Sequence, residues 1–457
     1  MSDPTAYLLE RAWVDGAVHD DVLVEIDDGR FVSVDLPGPS IGLSGSTEAN
    51  KRQEPRVRGV SDITPTPLPG LTIPGLANCH SHAFHRALRG RTQRDRGSFW
   101  TWREQMYDVA ARLDPDSYLE LATVTYREMV AAGITAVGEF HYLHHQPDGT
   151  PYDEANAMGH ALIEAARRAG IRITLLDTCY LSSGFGAPPE GAQVRYDDGS
   201  AAAWAERVSG IEAADHARVG AAVHSVRAVP RDQLPAVVEA AAGTPLHVHL
   251  SEQVGENDRC VRSYGATPTQ VLADAGVLGP LTSAVHATHL TATDVGLLGG
   301  SATYACFCPT TERDLGDGIG PSRALHDAGS ALTLGSDSHA VVDLFEEMRA
   351  VELDERLATQ RRGHWTAAEL LTAGTRHDSL GWADAGAIAV GQRADLVTIA
   401  TDDVRTAGTG ADEQTVVFAA AAENVTQVVA DGHVVFRADD RGRLGRDLAD
   451  VIGRLWR

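Results

Sequence analysis

Leu71-Thr72-Ile73-Pro74-Gly75-Leu76-Ala77-Asn78-Cys79-His80-Ser81-His82 is where the rhythm of the chain changes. Before it, from Tyr7 to Val34, short β-branched and apolar runs (Leu23-Val24-Glu25-Ile26, Phe31-Val32-Ser33-Val34) are broken by Asp-Gly pairs, the pattern of small hairpins. From Leu71 onward, short apolar strand candidates alternate with amphipathic helix candidates. The strands end near His80, Phe140, Asp177, Ala222, Leu250, His286, Ala305 and Gly335, and helices are expected over 117–132, 154–169, 231–242, 268–275 and 344–359. Eight strands alternating with helices over about 300 residues fit a parallel (β/α)8 barrel of the TIM type better than an open doubly wound sheet. No G-x-G-x-x-G follows the first strand, which removes the dinucleotide-binding reading.

Outward from the barrel, the pattern after Trp382 returns to β: Ala387-Ile388-Ala389-Val390, Asp395-Leu396-Val397-Thr398-Ile399, Val428-Val429-Ala430 and His433-Val434-Val435-Phe436. The two chain ends, 1–72 and 385–440, are therefore expected to pair into one small β-sandwich domain beside a barrel of 73–384. Within the first end, Pro37 to Pro69 is rich in Gly, Pro, Ser and Thr without a periodic apolar face and reads as an irregular insert. The last stretch, 441–457, alternates Leu, Val and Ile with Arg and Asp, as an amphipathic helix docked on the same chain or on a partner would.

A chain of 457 residues with 43% hydrophobic and 22% charged residues can bury a sizeable core. Its formal net charge of −24 argues against a nucleic-acid or anionic-membrane surface, which needs clustered Lys and Arg. Lys51 is the one lysine, so positive charge is almost wholly arginine, suited to bidentate carboxylate recognition. There is no basic segment followed by a long apolar run at the start and no stretch of membrane-span length, so a cytoplasmic protein is expected. Five scattered cysteines (Cys79, Cys179, Cys260, Cys306, Cys308) make a poor disulfide framework and are read as reduced thiols, with Cys306 and Cys308 at a buried strand end and outside any site.

In a barrel of this type, functional groups collect at the C-terminal ends of the strands. His80-Ser81-His82 closes the first strand, and alternation along an extended backbone puts both imidazoles on one side, where they can share an ion. The fifth strand carries Leu246-His247-Val248-His249-Leu250-Ser251-Glu252, and the eighth Leu332-Thr333-Leu334-Gly335-Ser336-Asp337-Ser338-His339. Three histidines and an aspartate at strands one, five and eight suit one divalent ion with a position left for water.

These segments resemble the amidohydrolase superfamily, and the late Gly391-Gln392-Arg393-Ala394-Asp395-Leu396-Val397 extends the likeness over nearly the whole chain. Within the superfamily the chain is similar to the deaminase branch. That resemblance implies His80, His82, His249 and Asp337 as ligands of one Zn²⁺ per chain, with Fe²⁺ or another divalent ion as alternatives. It also implies Glu252 as proton shuttle and His286, in Val285-His286-Ala287-Thr288-His289, as a polarising group. The barrel has no lysine to be carboxylated into a bridge between two metals, which favours a single ion. Asp337 and Glu252 would then divide base and acid work, one taking the proton of the attacking water and the other protonating the leaving nitrogen.

A narrower resemblance is to the formimidoylglutamate deiminase family, carried by Ser98-Phe99-Trp100-Thr101-Trp102-Arg103-Glu104, Gly138-Glu139-Phe140-His141-Tyr142-Leu143-His144-His145 and His224-Ser225-Val226-Arg227-Ala228-Val229. It implies substrate binding by Arg103, Tyr142, His224 and Arg227, and a small anionic amidine, N-formimidoyl-L-glutamate, as substrate. Two arginines agree with that, since a dianion entering an acidic protein needs planar, permanently charged donors. His85 stands where the family usually has a substrate-binding glutamine; it can still donate a hydrogen bond, but differs in size and titrates near neutral pH. Trp100 and Trp102 are expected to shape the loop that presents Arg103, while for His141, His144 and His145 packing behind the site or within a loop is the preferred reading and substrate contact the alternative. A homodimer follows from the resemblance alone. The competing readings are an aminohydrolase of a heterocyclic base or another acyl-amidine, and a non-catalytic barrel; the last predicts eroded ligand positions, and none is eroded.

Overall fold

Asp-Gly pairs turn the first strands back on themselves: Asp15 and Gly16 have φ of 50° and 81°, Asp28 and Gly29 of 47° and 73°, the two-residue geometry that matches strand twist. They join β1 (Thr5–Val14), β2 (Ala17–Asp27) and β3 (Arg30–Asp35), and β4 (Thr66–Pro74) lies parallel to β1. The computed structural model describes residues 4–37, 63–93, 96 and 99–457. Most of the expected irregular insert, 38–62, lies outside the described residues, while Thr66 to Pro69 already belong to β4.

At Gly75 the chain leaves this sheet and enters the second one. There β5 (Leu76–Ser81), β6 (Ile134–His141), β7 (Arg172–Cys179), β8 (Ala217–Val223), β9 (Leu246–Leu250), β10 (Thr282–His286), β11 (Tyr304–Phe307) and β12 (Leu332–Leu334) run parallel in chain order. Helices fall close to the expected spans, among them α1 (Phe99–Ala111), α2 (Pro115–Ala131) and α3 (Ala157–Ala169). The barrel closes where the end of β5 meets the residues after β12: Asp337 N–H donates to His80 O (3.0 Å) and His82 N–H to Asp337 O (3.2 Å). Gly335 makes this approach feasible, because a Cβ there would stand 2.7 Å from His80 Cβ and 2.8 Å from His80 O.

The chain then returns to the first sheet through β13 (Leu396–Ile399), β14 (Val425–Ala430) and β15 (His433–Arg437), giving the order β15-β14-β13-β4-β1-β2-β3. The expected strand at 387–390 does not form. Its apolar residues are accommodated in a turn pinned to β3, with Gly391 N–H donating to Phe31 O (2.8 Å), Phe31 N–H to Gln392 O (3.0 Å), and Ile388 buried beside Phe31. The helix Arg441–Leu455 docks on its own chain, burying Leu448 and Ile452, while Trp456 Nε1 donates to Ala87 O (3.0 Å). Among the described residues no helix is long and apolar enough to cross a membrane.

The two sheets are joined by a buried ion network. Arg172, at the start of β7, donates from Nη1 to Asp395 Oδ1 (3.1 Å) and Asp431 Oδ1 (3.0 Å) and from Nη2 to Asp395 Oδ2, which also accepts from Thr135 Oγ1 (2.9 Å). Burial pushes the Asp395 carboxyl up, but Arg172 overrides it and holds it down to about 2. A carboxyl depressed by folding stabilises above its ordinary range near 4 and loses that contribution as pH falls through 2. Asp395→Asn should therefore destabilise the protein by roughly 3–5 kcal/mol at neutral pH, since it strands a buried guanidinium. In thermal unfolding followed from pH 7 to 2, the gap between wild type and variant should narrow only below about pH 4; a gap already absent at pH 7 would disprove the role.

Candidate metal and active site

The seam of the barrel sets the first group of side chains. One ligand atom each from His80, His82, His249 and Asp337 can be chosen so that all lie within 4.8 Å of one another. His80 Nε2 is 3.1 Å from His249 Nε2, and Asp337 Oδ1 is 3.4 Å from His80 Nε2 and 3.3 Å from His82 Nε2. Donors about 2.0 Å from a tetrahedral ion are roughly 3.3 Å apart, so this set has the size of a zinc site. The far nitrogens support the same reading: His82 Nδ1 donates to Phe140 O (3.0 Å) and His249 Nδ1 to His224 O (3.0 Å), which leaves each Nε2 lone pair facing inward. Burial pushes His80 down to about 4 and, with nearby histidines, His249 well below its ordinary value, so neutral imidazoles converge on the carboxylate.

Behind Ser81, between the two histidines, a second layer holds the strand. Glu139 accepts from Ser81 Oγ (2.7 Å) and Ala83 N–H (2.6 Å), and His339 Nε2 is 2.9 Å from the same hydroxyl. Asn78 and Ser336 exchange two hydrogen bonds across the seam, at 2.8 and 2.9 Å.

Acid and base groups gather on one side. His286 Nε2 lies 4.0 Å from Glu252 Oε1 and 3.7 Å from Asp337 Oδ2, and His286 Nδ1 lies 3.4 Å from Glu312 Oε1. Burial opposes protonation of His286, yet the surrounding carboxylates of Glu252, Glu312 and Asp337 hold it well above its ordinary range. Burial pushes Glu252 up, against the pull of His286. A raised carboxyl beside a raised imidazole, with a depressed Asp337 opposite, is a set of groups poised to give and take protons.

One cavity of about 580 Å³ also holds cationic groups: its lining includes His82, His249, Glu252, His286 and Asp337 together with Arg103, Arg227, His224, Tyr142 and His85. Arg227 Nε donates to Glu256 Oε2 (3.2 Å), and Tyr142 Oη is 3.1 Å from His85 Nε2. Burial, reinforced by Arg227, pushes His224 well below its ordinary value. All the residues expected at the site thus meet at one cavity, save fully buried His80 just behind it. Trp102 departs from expectation: it lies on helix α1, not a loop, and lines the cavity with its ring 5.2 Å from that of His85.

His141, His144 and His145 stand away from the cavity. His144 Nε2 donates to Thr178 O (2.9 Å), and His145 Nε2 is 3.0 Å from Asp198 Oδ1. The nearby Asp177 is taken by Arg207, at 2.8 and 3.0 Å, and by Trp204 Nε1 at 2.9 Å, so His141, His144 and Asp177 are poorly suited to a second ion. Sequence reasoning missed Tyr107, Tyr180 and Tyr196 on the cavity wall and Glu312 beside His286. Tyr180 directly follows β7, a position that could have drawn attention; Tyr107 and Glu312 come from helices and Tyr196 from a 3-10 turn, with no such signal.

A parallel eight-stranded barrel with a histidine-carboxylate cluster at the strand ends defines a hydrolase of the metal-dependent type. The chain belongs to the amidohydrolase family, whose model matches residues 71–435. It is 36% identical to the formimidoylglutamate deiminase of Pseudomonas aeruginosa over 85% of this chain and 90% of that one. It is 31% identical to the 8-oxoguanine deaminase of the same organism over 84% and 86%. A solved amidohydrolase from Brucella melitensis superposes with a TM-score of 0.85 at 28% identity, covering 99% of this chain and all of that one. A zinc-bound adenosine deaminase from Xanthomonas campestris shares the fold with a TM-score of 0.81 at 22% identity, over 99% and 98%. The protein is a deaminase of this family, a hydrolase of non-peptide C–N bonds.

Glu312 offers a direct check of the acid-base cluster. Glu312→Gln removes the charge facing His286 Nδ1 and should lower kcat on the order of tenfold or more, with bound metal unchanged by elemental analysis. Turnover within twofold of wild type would dissociate Glu312 from the chemistry.

Proposed function

We propose that this deaminase hydrolyses N-formimidoyl-L-glutamate to N-formyl-L-glutamate and ammonia, a step of histidine degradation. The observation that carries the reading is the presence, in one cavity, of the histidine-carboxylate cluster and the guanidinium groups of Arg103 and Arg227. The glutamyl carboxylates bind the arginines, assisted by Tyr142, His224 and His85, and the amidine carbon is thereby presented to the histidine-carboxylate cluster. His80, His82, His249 and Asp337 would hold one divalent ion, zinc foremost, which when bound would supply Lewis acidity and lower the pKa of water toward about 7.

Asp337 takes a proton from the attacking water, whose oxygen bonds to the formimidoyl carbon. Glu252 hands its proton to the imine nitrogen, and His286 polarises the water and later the departing nitrogen. The proton held by Asp337 then passes to the amino group and the hydroxyl returns its proton to Glu252, so that the C–N bond breaks, ammonia leaves, and the carbon is left as a formyl group. A flat, uncharged base would make no use of two arginines, which favours the dicarboxylate over a heterocycle. The same reading carries a homodimer and a cytoplasmic location.

The test is ammonia release from N-formimidoyl-L-glutamate beside guanine, cytosine and adenosine, with metal measured on the same sample. Turnover of the first alone, lost on chelation and restored by Zn²⁺, is expected; turnover of a base alone would overturn the substrate. Glu252→Gln should reduce kcat on the order of 10²-fold or more, and near-normal turnover would remove it from proton transfer. Arg227→Ala should mainly raise KM, and an unchanged KM would sink its role in carboxylate binding.

A further inference from the structure

Glu252, His286 and Glu312 stand at the ends of three successive strands, and one residue outside the reaction scheme is bonded beside each of them. Asp317 follows the helix Pro309–Leu315 that carries Glu312, and its N–H donates to Glu312 O (2.9 Å). Its carbonyl accepts from Nε2 of His289 (2.8 Å), three residues beyond His286, and its Oδ1 accepts from Nε2 of Gln253, the residue next to Glu252. Gly318, at φ of 118°, carries the chain past the His289 ring, where a Cβ would stand 3.4 Å from Cε1.

This arrangement holds the segment around Glu252 from both sides. Ser251, with a positive φ of 52°, accepts at its carbonyl from His289 N–H (3.0 Å), and His289 O accepts from Asn257 Nδ2 (2.7 Å) in the helix Val254–Tyr264. Asp317 fixes the Gln253 side chain on the far side of Glu252. The two holders are joined through the His289–Asp317 bond, so Ser251-Glu252-Gln253 lies within a closed ring of hydrogen bonds. Asp317 is buried, and its Oδ2 meets no hydrogen-bond partner among the described residues. Burial, then the nearby Glu252 carboxyl, push Asp317 up to about 9; His286 opposes, and Glu312 and Asp337 add to the rise. At neutral pH it is a neutral acid, bracing the cluster without placing another negative charge beside Glu252, Glu312 and Asp337.

We propose that Asp317 is the positioning residue of the proton-transfer group: gripping Gln253 while tied to His289 and Glu312, it fixes the direction in which Glu252 presents its carboxyl to the leaving nitrogen. This rests on the reaction proposed above, in which Glu252 hands over that proton. The task needs an acceptor facing Gln253 and no charge. Asparagine can fill it, with its amide oxygen toward Gln253, and alanine cannot.

The experiment compares wild type, Asp317→Ala, Asp317→Asn and Glu252→Gln as metal-loaded enzymes. Steady-state turnover of N-formimidoyl-L-glutamate is paired with metal content and with calorimetric binding of N-formyl-L-glutamate. Asp317→Ala should lower kcat about tenfold or more while KM and product binding change by less than about threefold and metal content is unchanged. Asp317→Asn should restore kcat to within about threefold of wild type. If Asp317→Ala does not fold, Gln253→Met removes the same hydrogen bond from its half-buried end and should show the same loss. An unchanged kcat in the folded variant, a loss that falls on KM or metal content instead, or an asparagine variant as poor as alanine overturns the inference. Near-normal turnover by Glu252→Gln overturns the proton-transfer role and this inference with it, whereas an inactive Glu252→Gln beside an unaffected Asp317→Ala overturns the inference alone. Absence of turnover by wild type overturns the substrate reading and the inference together.

Discussion

The hydrogen-bonded seam between the end of β5 and the residues after β12 is the constraint on which the site depends. A barrel must close, and here the bonds that close it run through the backbones of His80, His82 and Asp337. The stability of the fold and the spacing of the converging donors are therefore one quantity. Any shift in register would move Asp337 away from the imidazoles and open the barrel at the same point. Gly335 and the Asn78–Ser336 exchange exist to let these two strands come this close.

The strand ends also hold unusual backbone. Ser251, His286, Ala287, Asp337 and His339 all have positive φ, between 38° and 69°, which costs non-glycine residues on the order of 1–3 kcal/mol each. Their clustering at the ends of β9, β10 and β12 shows where the remaining structure holds side chains in directions they would not otherwise take. His286 and Asp337 are two of the residues so aimed.

The cavity combines charges of both signs. Carboxylates surround His286, Arg103 and Arg227 line the same cavity, and burial keeps the imidazoles of His224 and His249 neutral. In a chain of net charge −24 these two arginines are brought to the cavity from α1 and from the connection after β8.

Much of this was legible in the residues themselves. Strand ends marked by His80, Leu250, His286 and Gly335 could be read because buried parallel strands leave apolar runs with polar residues at their tips, and the Asp-Gly hairpins because their φ requirement is written in the residue type. The failed strand at 387–390 shows the limit of that logic: an apolar pair needs burial, and a turn against Phe31 provides it without a ladder. Glu312, Tyr107 and Tyr196 carried no readable mark, since their place at the site lies in which neighbour on another element they meet. Local periodicity and side-chain chemistry determined the barrel, the strand-end histidines and the arginine-rich character of the chain. Which imidazole faces which, and which carboxylate holds His286, were decided only when the fold brought the strand ends together, over separations from 26 positions for His286 and Glu312 to 169 for His80 and His249.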